Sequence, residues 1–404
     1  MMAEELIPLE RALEHLLSAA LPLEETESVL IAQALGRVLA SDLTVSADVP
    51  PADNSAVDGY ALCCTDLASG MALPVSARVT AGQHPAPLKP GTAARIFTGA
   101  SLPPGADAVV MQENVTITPE GIRAPDETAP AQNIRRRGQD LEAGSPALAK
   151  GTRLRPQEMG LIASLGLDRV PVYRKLRVAV LTTGDELVDP GQPLLPGQIY
   201  NTNASTLRGL LAQMSCDLVV CETVRDTRKD TADALKKAAK QADLIVTSGG
   251  VSVGEEDHIR AVLEANGELT LWRLAIKPGK PLAFGQLDGT PLLGLPGNPA
   301  AVLVAFLMVG VPYLRRRQGD LTSPALGERL PAAFTVATPS VRQEFMRARK
   351  QRLNNEDVVT VYPNQSSGVL SSACWANGLA VIPANTTVTP GASITFFGFH
   401  ELTG

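Results

Sequence analysis

Between residues 177 and 299 the chain repeats one pattern five times: a short apolar run ends in a polar turn. RVAVL (177–181) runs into Thr182-Thr183-Gly184-Asp185-Glu186, and DLVVCETV (217–224) into Arg225-Asp226-Thr227. DLIVT (243–247) runs into Ser248-Gly249-Gly250-Val251-Ser252-Val253-Gly254, then Glu255-Glu256-Asp257. LTLWRLAI (269–276) runs into Lys277-Pro278-Gly279-Lys280-Pro281, and PLLGL (291–295) into Pro296-Gly297-Asn298-Pro299. Helical periodicity fills the intervals at 203–214, 229–241 and 257–266, and again at 300–317. Short apolar runs alternating with helices predict parallel strands in βαβ units. Ligands of such sheets bind outside the carboxyl ends of the strands, so the five turns are expected to share one rim.

Elsewhere the texture differs. Leu9, Leu13, Leu16 and Leu17 recur at helical spacing, and a second helical pattern covers 24–39. From residue 46 to 140 Gly and Pro become frequent around short β-prone runs (LPVSARVT, ARIFTG, ADAVVMQENVTI), which predicts a compact β-rich module. A helix is expected at 156–165. Beyond Gly319 the runs VVTVYP, LAVIPA and ASITFFGF, with turns at Asn354-Asn355 and Pro390-Gly391, predict a small C-terminal β domain.

Composition narrows the function. Net charge is −6 and aromatics make up 4%, which argues against nucleic acid as a partner. Five cysteines, an odd number without a C-x-x-C pair, fit a reduced chain. Four dispersed histidines give no Cys/His zinc pattern. The acidic start lacks an apolar signal core, and the apolar stretch 300–314 is broken by Gly310 and Pro312. A cytoplasmic protein without a membrane span is the expectation.

The rim carries the candidate chemistry. The 248–254 turn can bring backbone N–H groups close to a phosphate, although an ordinary βα turn has the same look. It is neither a Walker loop nor a dinucleotide fingerprint, because Gly254 is followed by Glu255 and Glu256. Lys277 and Lys280 set two cations in a proline-stiffened turn suited to an anion. Asp185, Glu186, Asp226 and Asp257 can hold Mg²⁺ through carboxylates and water, and each also suits a helix cap. Two further strings, 53–61 in the β-rich module and Arg135-Arg136-Arg137, read alone as a turn and a solvated charge run.

Taken together, DNSAVDGYA (53–61), FTGA (97–100), NIRRRGQD (133–140), TTGDEL (182–187), SGGVSVGEEDH (248–258), IKPGKP (276–281) and LPGNP (295–299) resemble one family. It is molybdopterin molybdenumtransferase, the molybdenum insertase group that includes the C-terminal domain of gephyrin. The strings match in order from residue 7 onward. The resemblance implies an α/β multidomain fold of four units. These are an elongated N-terminal linking region (1–45 plus 141–176), a β-rich lid (46–140), a three-layer α/β molybdopterin-binding domain (177–325) and a C-terminal β-barrel-like domain (326–404). It implies a homodimer in which the lid of one protomer covers the cleft of the other.

The resemblance also implies the reaction: adenylylated molybdopterin and molybdate become molybdenum cofactor with release of AMP, in the presence of Mg²⁺. On it, Ser248, Gly249, Gly250 and Ser252 cradle phosphate, and Lys277 and Lys280 neutralise oxyanions. Thr183, Gly184, Asp185, Pro296, Gly297 and Asn298 complete the substrate site. Glu186, Asp226 and Asp257 position metal or water, and Asp58, Thr98 and Asp140 close the cleft across the dimer. Arg347 and Ser372 fall where the family offers anion contacts. Transient handover to acceptor molybdoenzymes, or contact with the molybdopterin adenylyltransferase, is a further expectation.

Asn201 stands where aspartate is common, Ala301 where serine is common, and Ser366 where glycine is frequent. The adenylyltransferase itself is a weaker match, because it resembles the α/β part alone and has Gly-Gly-Thr-Gly where this chain has Gly249-Gly250-Val251-Ser252. A receptor scaffold with a vestigial cleft is the alternative from another class, and the retained acids and lysines speak against it.

Overall fold

The computed structural model describes residues 6–67, 71–250 and 258–403. Its largest sheet has seven strands. Arg177–Thr183 lies between Asp217–Val224 and Leu244–Ser248, and Thr290–Leu295 joins the far side of Leu244–Ser248, all parallel. Along these strands Val178, Val180, Leu244 and Val246 face one core, while Ala179, Leu181 and Ile245 face another. Both faces are covered, which is why the runs are apolar throughout instead of alternating. Thr202–Gln213 and the Pro299–Arg317 helix cover the first face. Arg228–Ala239 and His258–Asn266 cover the second, giving three layers.

One strand escaped the pattern. Pro281–Leu287 runs antiparallel between Gly267–Leu274 and Thr290–Leu295. The expectation of βαβ units throughout is therefore corrected between the fourth and fifth runs: the 277–281 turn joins two neighbouring antiparallel strands. PLAFGQL opens on proline and carries Gly285, both weak strand signals. An added Cβ at Gly285 would lie 2.3 Å from the Glu268 carbonyl oxygen, so close strand approach requires the glycine. Two reversals restore direction, so the ends of all five expected runs still face one rim. Leu6–Ile7 adds an edge strand beside Gly267–Leu274.

The segment 299–317 is long and apolar enough to cross a membrane by length and composition, with hydropathy 1.4, yet 67% of that window is buried inside the protein. It bends through a π-helical turn, Phe306–Gly310, and packs against Leu9–Ala19, whose Leu9, Ala12 and Leu16 enter the same core. Residues 6–20 thus pack with the α/β unit, although the sequence grouped them with 141–176.

The expected helix at 24–39 is absent. Thr26–Leu30 is a strand paired antiparallel with Arg169–Tyr173, followed by a short 3-10 turn at Ile31–Gln33. Its partner lies far along the chain, where local periodicity cannot register it. Pro156–Ser164 is helical as expected. It packs with the strand pair through Val29, Leu154, Ile162, Val170 and Val172.

The β-rich module holds a four-stranded sheet in the order Val75–Val79, Ala93–Ile96, Gly59–Leu62, Ala108–Met111. At the other end, Glu356–Val361, Gln343–Leu353, Gly378–Ile382, Ser393–Gly398 and Glu328–Pro331 pair in that order. A bridge from Ala332 to Val359 returns the last strand to the first, which gives this sheet a barrel-like closure. Gln343–Leu353 (QEFMRARKQRL) was missed because charged residues fall on both of its faces, buried Glu344 and Arg347 among them.

Ionic clusters tie the units together. Asp320, with its side chain 0% exposed, pairs with Arg153 at 2.8 Å, and Arg153 also donates to Gln318 and to the Gly36 carbonyl. Asp243 accepts from Arg174, Arg177 and the Arg177 N–H. Burial pushes the Asp243 carboxyl up, but these three donors hold it well below the ordinary carboxylate range. A depressed folded pKa contributes stability above the unfolded value of about 4 that is lost as pH falls further. Asp243→Asn is therefore expected to melt several degrees lower than the parent at pH 7. The difference should narrow progressively as pH falls below 4; thermal melts across that range check it, and a gap as wide at pH 2 as at pH 7 would contradict it.

Candidate active site

Residues from all five turns line one cleft of about 900 Å³. Thr183, Gly184 and Glu186 come from the first turn and Asp226 from the second. Ser248, Gly249 and Gly250 follow from the third, Lys277 to Pro281 from the fourth, and Pro296 to Pro299 from the fifth. The N-terminus of Thr202–Gln213 opens into the same space, and Gln365, Ser366 and Ser367 of the C-terminal unit close one side.

The floor is held by buried carboxamides. Asn201 caps Thr202–Gln213 by accepting from the Ala204 N–H at 3.1 Å. Its Nδ2 donates to Thr182 Oγ1 at 2.7 Å and Thr223 Oγ1 at 2.9 Å. Asn201 is 1% exposed, so its polar atoms serve the scaffold. Asn203 donates to Ser248 Oγ at 2.9 Å and to the Gly297 carbonyl at 2.7 Å. Ser248 in turn donates to the Pro296 carbonyl. The Ser248 side chain is thus engaged inside the floor, and the adjoining glycines form the open part of the turn. Gly249 has φ +89°, and a Cβ there would lie 2.9 Å from Thr183 O; this backbone path admits little but glycine.

The charged wall is shared between units. Ile276–Lys277 pairs parallel with the start of Gln343–Leu353, and Lys277 Nζ contacts Glu344 Oε1 at 2.9 Å. Lys280 is exposed and has no side-chain partner among the described residues. Glu186 is exposed in the same cleft, and Asp226 is partly exposed, its N–H bound to Asp185 Oδ1 at 3.1 Å. Asp185 supports Asp226 from outside the cleft lining.

Other expected site residues sit elsewhere. Ser252 and Asp257 lie outside the described residues. Asp58 accepts from the Thr98 N–H at 2.8 Å and hydroxyl at 2.7 Å. Those two bonds, with help from Arg95, hold its carboxyl below the ordinary range. This pair and exposed Asp140 belong to the β-rich module, and none of the three lines this cleft. Arg136 and Arg137 are not a free charge run: they grip Asp53 and Asp48 and fix the 48–53 loop. Arg347 is 1% exposed and does not line the cleft. It donates to Ser372 Oγ and the Ser366 carbonyl, each at 3.0 Å, and burial pulls its guanidinium down to about 10. Arg347 and Ser372 thus prop the 365–367 loop from behind.

Sequence reading missed Asn203, Glu344 and Arg342, which lines the cleft and donates to the Ile276 carbonyl at 3.3 Å. Asn203 had a visible signal, since it follows a capping asparagine by two residues. Glu344 had none, because its strand was not recognised.

Three family profiles cover the chain: MoeA N-terminal region (domain I and II) at 7–166, probable molybdopterin binding domain at 179–316, and MoeA C-terminal region (domain IV) at 329–398. The molybdopterin molybdenumtransferase of Haemophilus influenzae is 39% identical over 391 residues, 94% of this chain and 95% of that protein. Molybdopterin molybdenumtransferase 2 of Mycobacterium tuberculosis is 34% identical over 388 residues, 93% and 94% of the two chains. The crystal structure of the molybdopterin biosynthesis moeA protein from Pyrococcus horikoshii superposes with a TM-score of 0.80 at 29% identity, over 97% of this chain and 100% of that one. The chain belongs to the molybdopterin molybdenumtransferase family.

Proposed function

We propose that the cleft converts adenylylated molybdopterin and molybdate into molybdenum cofactor, releasing AMP, in a Mg²⁺-dependent reaction. The observation that carries this reading is the meeting, in one cleft, of the Lys277/Lys280 turn, the Gly249–Gly250 and Gly297 backbone, and the Glu186 and Asp226 carboxylates. Backbone at strand ends and a helix N-terminus suit phosphate. Two cations suit oxyanions.

The donor set fits Mg²⁺. No cluster of three or more His, Cys, Asp or Glu occurs among the described residues. Mg²⁺ does not require one, because it commonly takes one or two carboxylates and completes its shell with water and substrate phosphate. Glu186 and Asp226 would hold it, and it would neutralise charge developing on the phosphoanhydride. Glu186 and Asp226 orient water against the phosphoryl group, while Lys277 and Lys280 hold the oxyanions. Asp58, Thr98 and Asp140 act from the lid of a second copy, because they lie off the cleft of their own chain.

AMP release from adenylylated molybdopterin with Mg²⁺, with and without molybdate and alongside assay of finished cofactor, tests the reading. Molybdate-dependent release with cofactor formation is expected; binding without turnover in folded protein would overturn it.

The two lysines should not be equal. Lys280→Ala removes one cation and is expected to raise the KM for anionic substrate about tenfold. Lys277→Ala also strands Glu344, only 11% exposed, beside an anion site. It should cost about ten times more than Lys280→Ala, and Lys277→Ala with Glu344→Gln should recover part of that loss. Steady-state kinetics of the three variants check this order.

A further inference from the structure

The first turn of Thr202–Gln213 connects four strand ends. Asn201 reaches Thr182 and Thr223, and Asn203 reaches Ser248 and Gly297. Asn201 satisfies both ends of its carboxamide. Asn203 does not: it is 8% exposed, and its Oδ1 is buried without a partner. The orientation is fixed all the same. The Gly297 carbonyl can only accept, so the amide N–H₂ must face it. A buried acceptor without a donor is destabilising. What the arrangement adds is a clasp between the Ser248-Gly249-Gly250 and Pro296-Gly297-Asn298 turns, whose strands pair only as far as Ser248 and Leu295 and whose other links are the Gly249 N–H bond to the Leu295 carbonyl at 3.3 Å and the Ser248 hydroxyl bond to the Pro296 carbonyl at 3.1 Å. Both turns line the cleft.

We propose that Asn203 is a positioning residue of this site: its carboxamide sets the spacing between the 248–250 and 296–298 turns, and so the place where an anionic ligand's phosphate is received. The inference rests on the reading of the cleft given above. Asn203 touches no reacting atom; it acts through the two backbones it joins. Displacing one wall of a phosphate site by a fraction of an ångström misaligns the reacting bond while leaving most ligand contacts intact. The defect should therefore fall on kcat.

Three variants and two readouts test it. Asn203→Ala removes both donors. Asn203→Asp keeps the shape but sets an oxygen against the Gly297 carbonyl. Asn203→Ser retains a single short donor. In hydrogen exchange on the full chain, the Gly249 amide, which donates to the Leu295 carbonyl, and the Ala301 and Val302 amides, which donate to the Asn298 carbonyl, should exchange about tenfold faster in Asn203→Ala, with the rest of Thr202–Gln213 unchanged. In turnover, kcat should fall on the order of 10- to 100-fold in Asn203→Ala with KM within about threefold of the parent. Asn203→Asp should be at least as impaired and Asn203→Ser less so. Unchanged exchange at both turns, or an Asn203→Asp variant as active as the parent, would overturn the proposal. If the parent releases no AMP, the functional reading fails, and the exchange result still decides whether Asn203 clasps the two turns.

Discussion

Replacing Glu186 with alanine is expected to reduce cofactor formation roughly 100-fold and to leave the protein folded. Glu186 is exposed at the mouth of the first turn and makes no side-chain hydrogen bond among the described residues, so its loss opens no cavity and strands no partner. What disappears is one of two carboxylates that line the cleft together with the lysine turn. The melting curve should overlay that of the parent, and substrate affinity should change less than turnover. Equal turnover would remove Glu186 from the mechanism. Asp58→Ala should show the same signature. If the lid of one protomer serves the cleft of the other, mixing inactive Asp58→Ala and Glu186→Ala proteins restores part of the activity once subunits exchange. No recovery after demonstrated exchange would argue for a site contained in one chain.

The second large effect concerns stability. Asp320→Ala is expected to cost about 3–5 kcal/mol, because it leaves buried cations without a counter-charge. Arg153 and Arg315 are 8% and 15% exposed and lie 2.8 and 3.9 Å from the Asp320 carboxylate. Thr322 loses its backbone cap on the same group. The damage reaches across units, since Arg153 also holds the Gly36 carbonyl and Gln318. Urea unfolding followed by intrinsic fluorescence measures it. A loss below about 1 kcal/mol would mean that water enters and solvates the two arginines.

Much of the α/β unit could be read from the chain because its signals are local. Each parallel strand is an apolar run, and each rim turn follows directly from one. Pairings between distant segments could not be read this way. Thr26–Leu30 looked helical because Arg169–Tyr173, which makes it a strand, is remote. Gln343–Leu353 drew no strand reading because its charged residues interrupt the alternation of apolar and polar positions on both faces. The same limit applied to the site. Lys277, Lys280, Glu186 and Asp226 stood out as charges on turns. The Glu344 contact depends on an inter-unit pairing that no local pattern encodes. The family resemblance alone suggested roles for Asp58, Thr98 and Asp140; read without it, Asp58 sat in a turn, Asp140 beside a charge run, and Thr98 carried no signal.

The parallel pairing of Ile276–Lys277 with the first residues of Gln343–Leu353 bears on when the site comes into being. Chains emerge from the amino end, and domains fold as they appear. The seven-stranded sheet has all its strands by Leu295, well before the C-terminal unit exists. Until residue 344 follows, Lys277 has neither the backbone ladder that aims it nor the carboxylate that steadies it. The 365–367 edge of the cleft comes later still. Assembly therefore ends with the cationic wall and then the 365–367 edge, and a nascent chain truncated near residue 325 would have every strand of the sheet but an unfinished pocket.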